Sequence, residues 1–269
     1  MLFLSPIDTL VIVNKELSTI KIDAFFRGFL DIEGFVSGDD SLNGIQVDND
    51  GSPVKKIAFG VDAAMETFEQ AAATGAGMLF VHHGLFWGAS ARVAGNLRRR
   101  IKFLLDHNIC LYAVHLPLDQ HPKFGNNAVL AGLLGLENIE PFGGYHGRKI
   151  GYKGTFPKPV SIDEAVKKIS FMERPPAGVF PFGKKECKSA AIMSGGAPGN
   201  ARDAITEGID LFVTGESAHQ VYHDCLEGKL NMIAGGHYCT EVWGVQAVMR
   251  HCSEELGIET EFLDIPTGL

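Results

Sequence analysis

No C-x-x-C pair occurs among the five cysteines, Cys110, Cys187, Cys225, Cys239 and Cys252, and their number is odd. A disulfide framework is therefore not expected, and small buried thiols in a reducing compartment are. Net positive charge is missing too: 24 Lys and Arg stand against 32 Asp and Glu, for a formal charge of -8. That excludes a protein whose main task is to hold nucleic-acid backbone, which needs clustered positive charge, but it leaves room for a single nucleotide. There is no apolar run of membrane length. The N-terminal MLFLSPIDTLVIV is interrupted by Pro6 and Asp8, no basic residue precedes it and no small-residue cleavage site follows. Neither a signal peptide nor a membrane span is expected, and the expected location is the cytoplasm.

What is present is an ordinary globular composition, 45% hydrophobic and 21% charged over 269 residues, enough for one large domain or two moderate lobes. The 32 glycines point to many short turns. KIDAFFRGFLDI reads as an amphipathic helix, and the turn-rich GDDSLNGIQVDNDGSP follows it. Strands and helices then alternate: strand KKIAFGVDA, helix METFEQAAATG, strand MLFVHHG, helix LRRRIKFLLDHN, strand ICLYAVHLPLD, helix NNAVLAGLLGL. After a lysine-rich stretch the alternation resumes: strand SAAIMSGGA, helix NARDAITEG, strand DLFVTGE, helix VYHDCLEGK, strand LNMIAGGHYCTE, helix VQAVMRHCSEELG and strand IETEFLDI. The class is α/β, with parallel strands joined by crossover helices.

The two halves align without gaps. His115 and Asp119 in H-L-P-L-D match His237 and Glu241 in H-Y-C-T-E, and Gly135 and Gly257 end the following helices at the same offset. An internal duplication is expected. It gives two similar lobes: an N-terminal lobe over 15–145, a basic connector over 146–188 and a C-terminal lobe over 189–269, with a metal cleft between the lobes. A short strand (RKIGYKGTF) and a helix with a Ser161–Glu164 capping box are expected in the connector. Its Arg148, Lys149, Lys153, Lys158, Lys167 and Lys168 form either a solvated surface or a basic lip that attracts an anionic ligand.

His82 and His83 end an apolar strand. Neighbours on a strand point to opposite faces, so the pair suits two ions better than one. Asp119, Glu216, His237 and Glu241 fall at the same ends of strands, where open parallel sheets bind ligands. His82, His83, Asp119, His237 and Glu241 are the expected metal ligands, with Glu241 bridging. Nitrogen with carboxylate oxygen suits zinc, iron, manganese or cobalt. His115 is a proton carrier, an outer hydrogen-bond partner or a satisfied buried histidine. Glu216 is a general base or a helix cap, and His219 is expected beside it. S-G-G-A-P-G (194–199) is a weak phosphate signal because it lacks the Walker lysine. The Arg98–Arg100 run reads as a solvated helix face, and Trp87 as pocket wall or core.

Together these motifs resemble the Nif-three-like (YbgI-like) family, often named GTP cyclohydrolase type 2. The matching segments are S-L-N-G-I-Q-V (41–47), G-V-D-A (60–63), V-H-H-G-L-F-W (81–87), H-L-P-L-D with G-N-N (115–127), T-G-E (214–216) and G-G-H-Y-C-T-E (235–241). They span nearly the whole chain in order. The resemblance implies two divalent metal ions in a cleft between two α/β lobes, and a ring-shaped homohexamer. By motif it pairs His83 with Asp119 on one ion and His82 with His237 on the other, sharing Glu241. Two functions fit. One is a metal-dependent hydrolase of a small anionic substrate such as the nucleotide GTP, since two ions can generate hydroxide at neutral pH. The other is a non-catalytic scaffold that stores, delivers or regulates with metal.

Overall fold

The computed structural model describes residues 16–169 and 173–269. The apolar N-terminal stretch, read as neither signal peptide nor span, lies outside them. Among the described residues no helix is long and apolar enough to cross a membrane.

Two sheets carry the chain. The first has five strands in the order β1 (Gly44–Val47), β4 (Cys110–Ala113), β3 (Met78–His83), β2 (Lys56–Asp62), β11 (Glu259–Phe262). The second has six: β5 (Glu137–Tyr145), β6 (Arg148–Val160), β8 (Cys187–Met193), β9 (Leu211–Thr214), β10 (Asn231–Ala234), β7 (Gly178–Pro181). The sheets repeat one layout. Strands β2, β3 and β4 run parallel, as do β8, β9 and β10, and an antiparallel edge strand lies beside the third of each set. Parallel neighbours need crossovers. These are α2 (Met65–Ala73) and α3 (Gly95–Asp106) in the first lobe, and α7 (Ala201–Thr206) and α8 (His219–Glu227) in the second.

Side-chain alternation explains why the central strands read as unbroken apolar runs: both faces are covered. Ile57, Phe59, Met78 and Phe80 face a core shared by both lobes, where Ile22 and Phe26 of α1 (Thr19–Phe29) pack. Ala58, Leu79 and Val81 face the other way, onto Phe68 of α2 and Leu104 of α3. In the second sheet Ala190, Ile192, Leu211 and Val213 join the shared core, while Ala191, Met193 and Phe212 pack with Ala204 and Val221. All five cysteines are buried and unbridged.

The sheets do not divide at the boundaries expected from sequence. α5 (Asn126–Leu134) and α9 (His237–Leu256) both end in a left-handed glycine, Gly135 (φ 74°) and Gly257 (φ 60°), a conformation that costs glycine little. The strand after each helix then crosses to the other lobe's sheet. β5, from the first segment, joins the second sheet, and β11, from the last, pairs in parallel with β2. The expected connector is largely strand: β6 pairs with β5 and β8, and buries Ile150, Tyr152 and Phe156. Its lysines occupy the more exposed positions, which made a sheet strand look like solvated linker. α6 (Ile162–Ile169) opens with the expected capping box, Ser161 and Glu164 exchanging side-chain to backbone hydrogen bonds.

A second difference concerns H-L-P-L-D and H-Y-C-T-E, read as strand ends. β4 stops at Ala113 and β10 at Ala234; Leu116–Gln120 is a short helix, α4, and His237 is the first residue of α9. In the second motif the four-residue spacing is thus helical and stacks His237 and Glu241 on one face, while His115 precedes α4 in a non-helical conformation.

Candidate metal centre

The carboxyl ends of the parallel strands meet between the lobes. Asp62 ends β2, His82 and His83 end β3, and His115 follows β4. Gly195 follows β8, Glu216 follows β9 and His237 follows β10. Glu241, one turn into α9, lies at the middle. Its Oε1 is 3.2 Å from His237 Nε2 and 3.6 Å from His82 Nε2, and its Oε2 is 3.3 Å from His83 Nε2. Asp119 Oδ2 approaches His82 Nε2 from α4 at 3.6 Å.

Each of these imidazoles is held by its other nitrogen. His82 Nδ1 lies 2.9 Å from the Val114 carbonyl, His83 Nδ1 2.8 Å from Asp62 Oδ1 and His237 Nδ1 2.6 Å from Glu216 Oε1. A carbonyl or carboxylate oxygen only accepts, so each Nδ1 carries a proton, and Nε2 presents a lone pair to a cation when the ring is neutral or a second proton to the facing carboxylate when it is charged. This is the outer-partner arrangement that orients metal-ligating histidines. Asp119 is oriented as well, accepting on Oδ1 from Asn126 Nδ2 (2.8 Å) and Ser194 Oγ (3.1 Å).

Lone pairs facing carboxylates in a buried space call for a cation. His82, Asp119 and Glu241 are 0%, 5% and 3% exposed, and both His82 Nε2 and Glu241 Oε2 lack a hydrogen-bond partner among the described residues. Burial works against the charged form of His82, yet Asp119 and Glu241 outweigh it and push its pKa up to about 10. Burial likewise opposes charge on His237, and Glu241 and then Glu216 push its pKa up to about 9. For Glu241, burial favours the neutral acid, but the His83 and His82 charges and a hydrogen bond from His237 hold it well below the usual carboxylate range. Three donor sets, His82–Asp119–Glu241, His83–His237–Glu241 and His82–His83–His115, each bring ligand atoms within 4.8 Å of one another and could hold a metal ion.

In the first two sets His82 stands with Asp119 and His83 with His237, where the resemblance implied His83 with Asp119 and His82 with His237. Strand alternation puts His82 on the shared-core side with the buried Asp119, and His83 on the more open side with His237, where their side chains are 20% and 30% exposed.

Other expected residues fall into place around the centre. His115 comes within 4.8 Å of His82 and His83, and its Nδ1 is held by Asp39 Oδ1 at 2.8 Å. Glu216 is occupied as the partner of His237 rather than as the cap of α8, where no side-chain cap bond forms. Trp87 stands edge-on to His115, with ring centroids 4.9 Å apart. The S-G-G-A-P-G loop has two of its amides engaged within the protein. Its Ser194 and Gly195 amides already donate to Asn127 Oδ1 and Thr240 Oγ1. It serves to close over the carboxylate: a Cβ on Gly195 (φ +63°) would lie 2.2 Å from Glu241 Oε1. In the expected basic lip, Lys153 is spent on Glu140 and Glu207, and Arg148 lies over the Phe35 ring and donates to Gly34.

Asp39, Asp62, Asn43, Asn126 and Asn127 carry roles that sequence reasoning did not assign, although most of them lie in the motifs quoted above. Asn43 Oδ1 accepts from His115 N, and Gln46 Oε1 accepts from Leu85 N, bracing the loop after His83. Asn127 ties the lobes: it donates to the Asp119 and Ile150 carbonyls and accepts from Ser194 N.

The fold and site define a two-lobed α/β protein with a cluster of histidine and carboxylate between its lobes that could hold a metal ion. The chain belongs to the Duf34/NIF3 (NGG1p interacting factor 3) family, whose model matches residues 19–267. It is 45% identical to a GTP cyclohydrolase 1 type 2 homolog of Archaeoglobus fulgidus, over 93% of this chain and 98% of that protein. It is 43% identical to a protein of the same name from Treponema pallidum, over 93% and 99%. Among solved structures, TTHA1606 from Thermus thermophilus superposes with a TM-score of 0.86 at 35% identity, covering 94% of this chain and 100% of that one.

Proposed function

We propose that the chain is a dinuclear metal-dependent hydrolase of a small anionic substrate, a nucleotide such as GTP. The observation that carries this is Glu241: one buried carboxylate shared by three imidazoles whose Nδ1 atoms are all fixed from outside. His82, Asp119 and Glu241 would hold one ion, and His83, His237 and Glu241 the other. A bound pair would supply Lewis acidity and lower the pKa of a water. The protein's own groups then orient and move protons. Opening the imidazole ring of GTP needs attack of water at carbon 8. His115, positioned by Asp39 beside the centre, would take up the proton lost by that water. Glu216 would set the tautomer of His237, with a secondary part as base through its other oxygen. The name shared by the relatives supports a nucleotide; the resemblance supports a homohexamer, which light scattering at micromolar concentration would check.

The test is turnover. Protein loaded with zinc, iron or manganese should hydrolyse a nucleotide, and Glu241→Gln should abolish it. A His115→Gln variant should keep its metal and lose most of the rate. No turnover of any nucleotide, together with ready transfer of metal to an acceptor protein, would favour the scaffold function. One observation already leans that way: His237 and Glu216 leave one side of the centre partly open, with side chains 30% and 48% exposed.

A further inference from the structure

A cleft of about 510 Å³ opens beside the candidate centre, lined on its polar side by Asp39, Asp40, Ser41 and Asn43 and walled by Phe86 and Trp87. It shares Asp39 and Trp87 with the surroundings of His115. Its floor is a short backbone ladder: Ser41 bridges Trp87, Leu42 N donates to Phe86 O, and Gly88 N donates to Asp40 O.

Two features of this cleft are unused by the metal centre. The first is Trp87. Its Nε1 donates to the Gly84 carbonyl, which fixes the ring; His115 lies against it, yet it remains 40% exposed. The second is Asp40. The neighbouring Asp39 is saturated, accepting from Ser41 N and His115 Nδ1 on one oxygen and from Asn43 Nδ2 and Leu116 N on the other. The Asp40 carboxylate has no hydrogen-bond or ion-pair partner among the described residues, and it lies beside Gly88, 4.0 Å from where a Cβ there would stand. No lysine or arginine is among the described residues that line the cleft. It is therefore a poor place for phosphate and a good one for a flat ring that donates hydrogen bonds.

We propose that this cleft is the ring-binding subsite for a nitrogen heterocycle with adjacent N–H donors, as on the amino-oxo edge of guanine. The ring stacks on Trp87, and two neighbouring N–H groups donate to the Asp40 carboxylate. This inference rests on the nucleotide substrate proposed above and assigns the base, rather than the phosphates, to this side of the centre.

Calorimetry with nucleosides tests it apart from catalysis, because guanosine carries no phosphate and inosine differs only in lacking the 2-amino donor. With the metal-loaded protein, guanosine should bind about tenfold or more tightly than inosine, since a charged acceptor left short of a donor loses that much. Asp40→Asn should bring the two nucleosides level, because an amide presents its own N–H groups to the ring. Trp87→Leu should weaken both by roughly tenfold or more through lost stacking. Both variants should retain wild-type metal content. Equal binding of guanosine and inosine to the wild type would overturn the proposal, as would a preference that survives Asp40→Asn. So would GTP binding without guanosine binding. Guanosine discrimination without GTP turnover would leave the subsite standing and remove the hydrolase; turnover without discrimination would do the reverse.

Discussion

The two lobes place the same motif at the same point of the same layout and use it differently. In the second lobe His237 and Glu241 both enter the centre from the first turns of a 20-residue helix. Glu241 reaches three imidazoles. In the first lobe the motif starts a five-residue helix, Asp119 approaches His82, and His115 is held from the side by Asp39. The duplicated backbone therefore supplies position twice, while one methylene and the neighbour offered to each Nδ1 decide the role. The longer acid reaches three imidazoles and the shorter one approaches His82. The histidine anchored by Glu216 faces Glu241, and the one anchored by Asp39 comes within 4.8 Å of His82 and His83.

The sharpest way to break this comparison is to neutralise the two acids in turn. Glu241→Gln should lower metal affinity by more than about a hundredfold, beyond the loss typical of an outer partner. Asp119→Asn should lose less, because it serves one donor set. Metal content after dialysis against a graded chelator measures both, and equal losses would mean that the lobes contribute alike. Next in size is the tie between the lobes. Asn127→Ala leaves Ser194 N and two carbonyls without their partner and should cost about 2 kcal/mol in urea unfolding. A change near zero would show that the shared apolar core alone holds the lobes.

Smaller effects sharpen the contrast between the outer carboxylates. Asp62→Asn should reduce metal affinity roughly tenfold or more. Glu216→Gln should cost less, since its side chain is 48% exposed against 32% for Asp62 and water replaces it more easily. The reverse order would move the main anchor to the second lobe.

The gentlest probe is pH. In chelator-treated protein His82 and His237 have folded pKa values of about 10 and about 9, both above the unfolded 6.5. Their contribution to stability is fully present below pH 6.5 and is lost as pH rises through 9 to 10. The melting temperature of stripped protein should thus fall between about pH 7 and pH 10. Metal-loaded protein should not show this fall, because the ligating rings are neutral throughout, and it should instead release metal as pH drops through about 6. Identical profiles for the two forms would show that the charged cluster has no part in stability.

Much of this was legible in the residues because it is local. Strand and helix periodicity located most elements, and the Ser161–Glu164 pair marked the start of α6. The H-x-x-x-acid repeat exposed the duplication. The secondary structure of that repeat was misjudged, since a histidine just beyond an apolar strand looks like its continuation. Only the helical turn at His237 reveals why the spacing there is four. The basic stretch misled for a related reason: alternate residues of β6 face solvent, and a strand with one row of lysines resembles a linker.

By itself the sequence determined the α/β class, the twofold repeat and the identity of the five residues that converge, because periodicity and motif spacing are properties of neighbouring residues. The tertiary structure alone decided which sheet β5 and β11 join, because strand pairing depends on which edges lie open after the helices have packed. It also brought His82 beside Asp119 and His83 beside His237, and set Asp62, Asp39 and Glu216 against the imidazoles. Those partners lie 21 to 76 residues apart in the chain. Distances of a few ångströms across such separations are set by packing of the two lobes, which no local pattern encodes.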